Sequence, residues 1–439
     1  MTREMKDSGI EWIGEIPEEW EINRIKYLFV AGKGLSITKD NLIDEGLPVI
    51  SYGQIHSKNN TGIDIQTNLL RFVDDIYSKC YPQCEVMRND FVFADTSEDY
   101  DGCGNCVLKR DTTKLFAGYH TIILHSILDR DNSFLAYLFK TDTWRKQIRQ
   151  KVSGVKVLSI SQKILMNCGI ILPPQKEQKA IADYLDAKCS DIDAIANDIQ
   201  KEISVLEDYK KIIITEVVTK GLDQNVEMKD SGIEWIGKIP KHWDISKLKF
   251  LAKESPDFTA LDSTIEISYL PMECLKKGYM LPKISTLENL PTGLTRFNEG
   301  DIVIAKVTPC FENGNIAIAE KLCNLTGVGS SELYVIRCYK IETKFLFYYL
   351  QNANFMKRAI SEMSGTGGLK RIPSKFIRNL YITLPNKEEQ YKIASYLDAK
   401  CSEIDTLIAD KKKQLEILAD YKKSLIYEYV TGKKEVPTA

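Results

Sequence analysis

Long internal repeats constrain the fold of this chain more than any other feature of its sequence. The ten residues MKDSGIEWIG occur at 5–14 and again at 228–237. A second repeat lies later in each half, where YLDAKCSDID at 184–193 corresponds to YLDAKCSEID at 396–405. The 439 residues therefore form two halves of related design, and each repeated segment is expected to adopt the same structure in both halves.

The segment after the first repeat in each half mixes short apolar runs with Gly, Asn and Asp turns. The candidate strands are Leu47–Tyr52, Asp90–Asp95 and His120–Ile127 in the first half, and Asp301–Val307 and Ser331–Tyr339 in the second. One helical stretch closes each segment, at 134–152 and at 344–363. Each half is therefore predicted to begin with a mixed α/β domain.

Each globular segment is followed by a long stretch without helix breakers. The first begins after Pro173 and Pro174 and continues to Gly221, and the second begins at Leu384. Apolar residues recur at spacings of three and four, and six pairs are 212 residues apart: Leu185, Ile192, Ile195, Ile203, Leu206 and Ile213 match Leu397, Ile404, Leu407, Leu415, Leu418 and Leu425. Each stretch is predicted to form one helix of about 45 residues, roughly 65 Å long.

A helix of this length with a single apolar stripe needs a partner for that stripe. The two helices are predicted to pair as an antiparallel coiled coil that relates the halves by a pseudo-two-fold axis. The alternative is that each helix packs only on its own globular domain. The predicted fold class is α+β, with recognition domains at 1–172 and 223–384 and coiled-coil helices at 173–222 and 385–439.

The overall composition excludes some classes of protein. Hydrophobic residues make up 44% of the chain and charged residues 27%, which is ordinary for a globular protein. No run of 18 apolar residues occurs and the N-terminus is polar, so neither a transmembrane helix nor a secretory signal is predicted. Eleven cysteines without a regular framework indicate free thiols in the cytoplasm. The net charge of -2 does not decide for or against a nucleic-acid partner.

Sequence motifs for catalysis are missing. An adenine methyltransferase needs Asn, Asp or Ser followed by Pro-Pro and an aromatic residue, but Gln175 follows the only Pro-Pro pair. No Gly-rich loop ending in Gly-Lys-Ser or Gly-Lys-Thr occurs to hold ATP phosphates. The chain is therefore predicted to be non-catalytic.

Several segments resemble the specificity subunit (HsdS) of type I restriction–modification systems. SGIEWIGEIPEEW at 8–20 and SGIEWIGKIPKHW at 231–243 open the halves, and PPQKEQKAIADYLDAK at 173–188 and PNKEEQYKIASYLDAK at 385–400 open the long helices. GTGGLKRIPSKFIRNLYITLP at 365–385 closes the second globular domain, and the segments at 90–108 and 301–320 resemble the central part of target-recognition domains. The resemblance covers nearly the whole chain.

The resemblance implies a bacterial defence protein that gives a restriction–modification complex its DNA sequence specificity. Each recognition domain would read one half of a split double-stranded target, while the helices set the spacer and dock two methyltransferase (modification) subunits. Restriction subunits would join the full complex. S-adenosylmethionine and ATP are then expected on the partner subunits, with no cofactor or metal in this chain. Two alternatives are a coiled-coil scaffold that does not bind DNA, and an unrecognised DNA methyltransferase or nuclease.

Four cysteines offer a competing interpretation of the first domain. Cys80, Cys84, Cys103 and Cys106 have a spacing close to that of structural zinc sites. In the family that the chain resembles, this stretch is a strand–turn–strand without a metal. A redox role for CGNC would need a thioredoxin-like setting, which the sequence lacks.

Local charge indicates where DNA phosphates would be contacted. Cations outnumber acids at 141–160 and at 351–378, which are equivalent places in the repeat. Each of these regions includes a loop that contains glycine, at 153–159 and at 364–371. The candidate cations are Arg145, Arg149, Lys151 and Lys156 in the first half and Lys370 and Arg371 in the second. The alternative is a solvated helix face followed by an ordinary turn.

By resemblance, base reading is expected in the loops that leave the candidate strands. The candidates are Tyr52, Gln54, Ser97 and Tyr100 in the first half, and Lys306, Thr308, Asn313 and Ser331 in the second. Thr366, in the glycine-containing loop at 364–371, is a further candidate for DNA contact. Many of these side chains would serve equally well as turn caps.

Overall fold

A computed structural model gives the fold and describes residues 3–128, 130–154, 156–257, 262–366 and 368–437. The chain forms two compact units. The first unit comprises Met1–Asp198 and Gln414–Ala439, and the second comprises Ile199–Lys413. Among the described helices, none combines the length and the apolar character needed to cross a membrane.

The first unit begins with a mixed α/β domain. Its strands are β1 (Met5–Asp7), β2 (Glu15–Pro17), β3 (Glu21–Arg24), β4 (Phe29–Lys33), β5 (Leu47–Ile50), β6 (Arg71–Val73), β7 (Phe91–Ala94), β8 (Thr96–Ser97), β9 (Cys106–Leu108), β10 (Phe116–Ala117), β11 (Thr121–Ser126), β12 (Leu158–Ser159) and β13 (Gly169–Leu172). Its helices are α1 (Tyr52–Ile55), α2 (Ile76–Cys80), α3 (Ser133–Lys140), α4 (Asp142–Arg149), α5 (Gln162–Met166) and the first part of α6 (Gln175–Lys220).

The second unit follows a similar but not identical order. Its strands are β14 (Met228–Asp230), β15 (Lys238–Pro240), β16 (Asp244–Lys247), β17 (Ala252–Glu254), β18 (Glu266–Leu270), β19 (Lys283–Thr286), β20 (Thr295–Asn298), β21 (Ile302–Ala305), β22 (Ile316–Ile318), β23 (Thr326–Gly329), β24 (Leu333–Cys338) and β25 (Tyr381–Leu384). Its helices are α7 (Thr343–Tyr349), α8 (Ala353–Ser361), α9 (Ser374–Arg378) and α10 (Lys387–Val430), whose last turns belong to the first unit.

The central sheets of the two units have the same topology. An antiparallel sheet runs in the order β4-β11-β7-β9 in the first unit and β17-β24-β21-β22 in the second. A further sheet contains one parallel pair, β10 with β5 in the first unit and β23 with β18 in the second. The mixed α/β domains predicted from the sequence are therefore confirmed, each built on one scaffold.

A tryptophan six residues after the first repeat attaches each globular domain to its long helix. Trp20 is fully buried and its indole Nε1 donates to Oε2 of Glu177, in the first turn of α6, at 3.1 Å. Trp243 is equally buried and donates to Oε1 of Glu389, in the first turn of α10, at 2.9 Å. This contact gives a physical reason for the repeated sequence at the start of each half.

The second repeat makes an equivalent contact further along each helix. Tyr137 donates its hydroxyl to Oδ1 of Asp186 at 2.6 Å, and Tyr348 donates to Oδ1 of Asp398 at 2.7 Å. Both aspartates belong to the repeated letters YLDAK. Each long helix is thus fixed to its globular domain at two equivalent points.

The long helices also pair with each other, and the pairing is antiparallel within both units. In the first unit, Lys422 on α10 binds Asp193 on α6 at 2.6 Å, and the ring of Tyr429 on α10 packs against that of Tyr184 on α6 with centroids 4.7 Å apart. In the second, Lys210 on α6 binds Asp405 on α10 at 2.6 Å, and Lys411 binds Glu202 at 2.6 Å. The partner's number falls as the number on α6 rises, so the antiparallel prediction is confirmed. The alternative that each helix packs only on its own domain is wrong.

Two residues assigned to the apolar stripe are exposed instead. Ile195 is 50% exposed and Leu407 is 45% exposed. The buried residues of each long helix follow a seven-residue repeat, with alternating steps of four and three residues. In this register Ile408 is buried, and Leu407, one position earlier, faces solvent. The two errors occupy equivalent positions, because the same register applies in both helices.

The helical stretch that closes each globular domain is two helices rather than one. Thr141 separates α3 from α4, and its Oγ1 accepts a hydrogen bond from the backbone N–H of Trp144 at 3.2 Å. Asn352 does the same between α7 and α8, where its Oδ1 accepts from the N–H of Phe355 at 2.8 Å. Each N-cap starts a new helix and turns a buried aromatic residue towards the core.

Candidate DNA interface

In the second unit, three loops meet at Lys306, at the end of the central sheet. They are its own loop after β21, the loop before β24 that contains Ser331, and the loop at 364–371. Lys306 follows β21 directly, and its Nζ donates to the carbonyl oxygen of Ser331 at 2.9 Å. Its own carbonyl accepts from the N–H of Ile372 at 3.0 Å. The ammonium lies 4.8 Å from the ring centroid of Tyr334, and burial lowers the pKa of Lys306. An ammonium has three donors, so donors remain for a ligand.

Thr308 holds the loop at 364–371 in place. Its Oγ1 accepts from the N–H of Lys370 at 3.0 Å and donates to the carbonyl of Gly368 at 2.9 Å. Its N–H donates to the carbonyl of Lys370 at 3.0 Å. The hydroxyl of Thr308 therefore positions the loop, while the side chain of Lys370 is exposed beside it.

Arg371 is paired within the protein. Its guanidinium binds both carboxylate oxygens of Glu332, at 2.9 and 2.7 Å, and its backbone bridges to Ser364. Arg371 lowers the pKa of Glu332, so the pair keeps both charges near neutral pH. The exposed residues at the same end of the unit are Asn313, Ser331 and Thr366. Gly367, within the predicted loop at 364–371, lies outside the described residues.

The first unit brings equivalent segments together. The loop after β7 pairs with the loop at 153–159, where Ser97 faces Leu158 and Thr96 faces Ser159 in an antiparallel bridge. Lys156 is exposed in this loop, and Val155 lies outside the described residues. The segments that the sequence placed in corresponding positions are therefore neighbours in both units.

Beside this pair lies a cleft of about 820 Å³ that contains both polar groups and aromatic rings. The ring of Tyr52 packs edge-on against His56 and His120, with centroids 6.2 and 5.4 Å apart. Imidazole Nε2 of His56 lies 2.7 Å from the carbonyl of Thr96. Stacking rings beside hydrogen-bonding groups suit the recognition of a base.

Two candidate base-reading side chains of the first unit act as caps. Oε1 of Gln54 accepts from the N–H of Ser51 at 3.1 Å, and Oγ of the buried Ser97 donates to the carbonyl of Asp99 at 2.7 Å. Tyr100 is exposed. His120 lines the same cleft with a left-handed backbone, φ 55°, which non-glycine residues rarely adopt. The sequence pattern gave no signal for His120, because it was assigned to the start of a strand.

The candidate cations on α4 and just after it have two kinds of environment. Arg145 donates to the carbonyl of Phe139 at 2.8 Å and to Oδ1 of Asn105 at 2.6 Å. Arg149 donates to the carbonyl of Asp101 and to Asp142, both at 3.0 Å. Both arginines line a different cavity, against α10. Lys151, in contrast, is exposed after the end of the helix.

The four cysteines of the zinc interpretation lie in different environments. Cys84 belongs to one hydrophobic cluster and Cys103 and Cys106 to another, while Cys80 is exposed. Burial raises the pKa of the Cys106 thiol to about 12, which favours the neutral form over the thiolate that a metal needs. Across the described part of the chain, no three His, Cys, Asp or Glu side chains form a group able to hold a metal ion.

Comparison with known proteins gives a consistent result over most of the chain. A family model described as type I restriction modification DNA specificity domain matches residues 17–205 and 240–417. The chain is similar to the putative type I restriction enzyme MjaX specificity subunit of Methanocaldococcus jannaschii, with 31% identity over 97% of this chain and 96% of the relative. The MjaVIII specificity subunit of the same organism is 28% identical over 96% of this chain and 94% of its own length.

Solved structures show the same fold. A chain from a structure of the type I R-M system aligns with a TM-score of 0.70 at 17% identity and covers 95% of this chain and 99% of that chain. The HsdS subunit from Thermoanaerobacter tengcongensis aligns with a TM-score of 0.51 at 18% identity, over 95% of this chain and 98% of that chain.

Proposed function

Because this chain belongs to the type I restriction–modification DNA specificity subunits and confers DNA sequence specificity, we propose that each of its two units reads one half of a bipartite duplex target. The observation that carries the proposal is the equivalent convergence of loops in both units. The loop after the third strand of each central sheet packs against the loop that follows the closing helices. The scaffold is shared and the loop side chains differ, as two readers of different half-sites require.

Within the second unit, the exposed and anchored groups have different proposed roles. Lys306 would read a base edge, because its half-buried ammonium is held in one place by Ser331 and keeps donors for a ligand. Lys370 would contact a phosphate, because it is exposed and its backbone is fixed by Thr308. In the first unit, Lys151 and Lys156 would contact phosphates, and the cleft beside Tyr52 would contact a base.

Substituting each lysine separately tests these roles. Lys306→Ala is expected to relax one position of one half-site by about 1–3 kcal/mol and to leave the other half-site unchanged. Lys370→Ala is expected to weaken binding to all sequences alike and to lower the salt slope by about one. Binding by the assembled complex at several salt concentrations, together with methylated-site mapping, measures both effects. Lys413→Ala, an exposed lysine of α10, serves as the control.

The outcomes are separable. If Lys306→Ala changes neither affinity nor the target motif, the loops of the second unit do not form the interface. If it changes both half-sites, the two units do not read independently.

We also propose that the helix pair docks two modification subunits, which would supply the methyl-transfer chemistry, S-adenosylmethionine and, with restriction subunits, ATP hydrolysis. Exposed apolar residues and tyrosines occupy matched positions on the long helices and form two groups: Ile195, Ile417 and Tyr421 in the first unit, and Leu407, Val205 and Tyr209 in the second. The members of the two groups are 212 residues apart in sequence. One surface present twice fits two copies of one partner.

A further inference from the structure

The first unit contains a second cavity whose lining is strongly cationic. It has a volume of about 710 Å³ and lies between α3, α4, the loop after α1 and the last turns of α10. The charged lining residues are Lys140, Arg145, Arg149, Lys422 and Lys423 against Asp101 and Asp142. Five cations and two carboxylates thus line the cavity, and Lys423 is also paired with Asp420 outside the lining, at 3.4 Å. A volume of this size is typical of small-molecule sites.

One of these cations, Lys140, has no partner among the described residues. Arg149 binds Asp142 at 3.0 Å and Lys422 binds Asp193 at 2.6 Å. The ammonium of Lys140, by contrast, makes no hydrogen bond or ion pair with any described residue. Burial lowers the pKa of Lys140 to about 8, and the positive charge of Lys422 acts in the same direction. An anion bound in the cavity would stabilise the charged form of Lys140 by pairing with its ammonium.

Comparison with the second unit shows that the closing helices do not require three of these cations. The two units align at this point with an offset of 211 residues. This offset matches the N-cap Thr141 with Asn352, and the buried Trp144 with Phe355. With that offset, the positions of Lys140, Arg145 and Arg149 are occupied by Gln351, Met356 and Ile360. The same helices therefore form with neutral side chains at these three positions. Lys422 and Lys423 on α10, in contrast, correspond to Lys210 and Lys211 on α6, 212 residues earlier.

We propose that this cavity binds a small phosphorylated anion of about the size of a nucleotide. Phosphate groups carry the density of negative charge that several converging Lys and Arg side chains complement. The cavity shares Asp101 and Asn105 with the cleft beside Tyr52, but the exposed Lys156 does not line it. A backbone phosphate of bound DNA has the same chemistry, so the experiment separates a free anion from DNA.

Titration calorimetry of the full-length chain with inorganic triphosphate tests the proposal. Lys140→Gln combined with Arg149→Ile introduces the residues of the second unit, and is expected to weaken triphosphate binding at least tenfold. Lys146→Gln combined with Lys357→Gln removes the same number of charges from exposed positions outside the cavity. This control is expected to bind within twofold of the unchanged chain. Lys140→Gln alone is expected to weaken binding about fivefold.

Each outcome decides for or against the cavity. Equal affinity of the cavity variant and the unchanged chain would overturn the proposal, as would equal losses in the cavity variant and the control, which would indicate adventitious binding to surface charge. If saturating duplex DNA displaced the triphosphate, the cavity would belong to the DNA interface instead. Circular dichroism melting verifies folding, and if the double variant unfolds, the single Lys140→Gln variant supplies the result.

Discussion

The two units share one scaffold and differ in what they attach to it. In both, a buried aspartate precedes the central strand of the sheet and binds a side chain of the neighbouring strand. Asp90 accepts from Nδ1 of His125 at 2.7 Å, and Asp301 binds Arg337 through both oxygens at 2.7 Å. Near the long helices the units differ at three positions of the closing helices, where Lys140, Arg145 and Arg149 of the first unit correspond to Gln351, Met356 and Ile360 of the second.

This comparison separates residues that build the scaffold from residues that select a ligand. The contacts of Trp20 with Glu177 and of Trp243 with Glu389 are the same in kind and distance, so their letters are repeated. Loop residues such as Lys306 have no identical counterpart, because each unit is expected to read its own sequence. The repeated letters therefore mark contacts with the long helices that both units share, and we propose that the divergent loop residues select different half-sites.

The largest effect is expected from exchanging a whole globular domain. Replacing residues 15–172 with a different recognition domain should replace one half-site completely and leave the other half-site and the spacer unchanged. The reason is that the helix contacts of Trp20 and Tyr137 belong to the shared scaffold. Mapping methylated sites made by the chimeric complex gives the result, and a change in both half-sites would contradict independent reading.

Lengthening the helix pair is expected to change the spacer. Four helix-forming residues inserted after Asp198 and four after Lys413 lie between the two units, so the contacts within each unit are kept. Four residues add about 6 Å and about 40° beyond a full turn, against roughly 3.4 Å and 35° for one base pair. The spacer should grow by one base pair, or by two if rise dominates. An active complex with the old spacer would exclude the helices as the ruler.

The two buried aspartates are expected to differ in how much stability is lost when their side-chain partners are removed. Arg337→Met should destabilise the second unit by about 3 kcal/mol, because Asp301 is only 1% exposed, loses a bidentate partner and retains the N–H donor of Asn298. His125→Ala should cost the first unit only about 1 kcal/mol, because Asp90 still accepts from the N–H groups of Met87 and Ser126.

Hydrogen exchange of the strands next to each aspartate measures these two losses locally. Arg358→Met, which removes an exposed pair with Glu362, should change protection little and serves as the control. Equal losses in the two units would show that the neighbouring N–H groups do not compensate for the lost histidine.

The smallest effect is expected from a single exposed tyrosine of the helix pair. Tyr209→Ser or Tyr421→Ser should weaken association with one modification subunit about tenfold, and the double variant should weaken association with both. Sedimentation of the complex shows the number of subunits bound. Lys411, which is paired with Glu202, provides a control through Lys411→Arg, and losses that differ strongly between the two tyrosines would contradict two equivalent docking surfaces.

Much of the fold could be predicted because its signals are local and repeated. The long helices and their antiparallel pairing followed from uninterrupted apolar spacing, which few other structures can satisfy. The break at Thr141 was missed because threonine is also tolerated within a helix, and its capping role depends on where Trp144 is buried. Ile195 was misplaced by one position because a stripe read from sequence does not give the exact seam.

The sequence by itself determined the family, the two-fold repetition, the long helices and the segments that hold the candidate interface. Only the tertiary structure decided which side chains in those segments are free to act. Arg145 and Lys370 are both cations in equivalent regions, yet one is hydrogen-bonded inside a cavity and the other is exposed. The physical reason is that the environment of a side chain depends on segments distant in sequence, and the pairing of those segments is set by packing across the sheet and the helix pair.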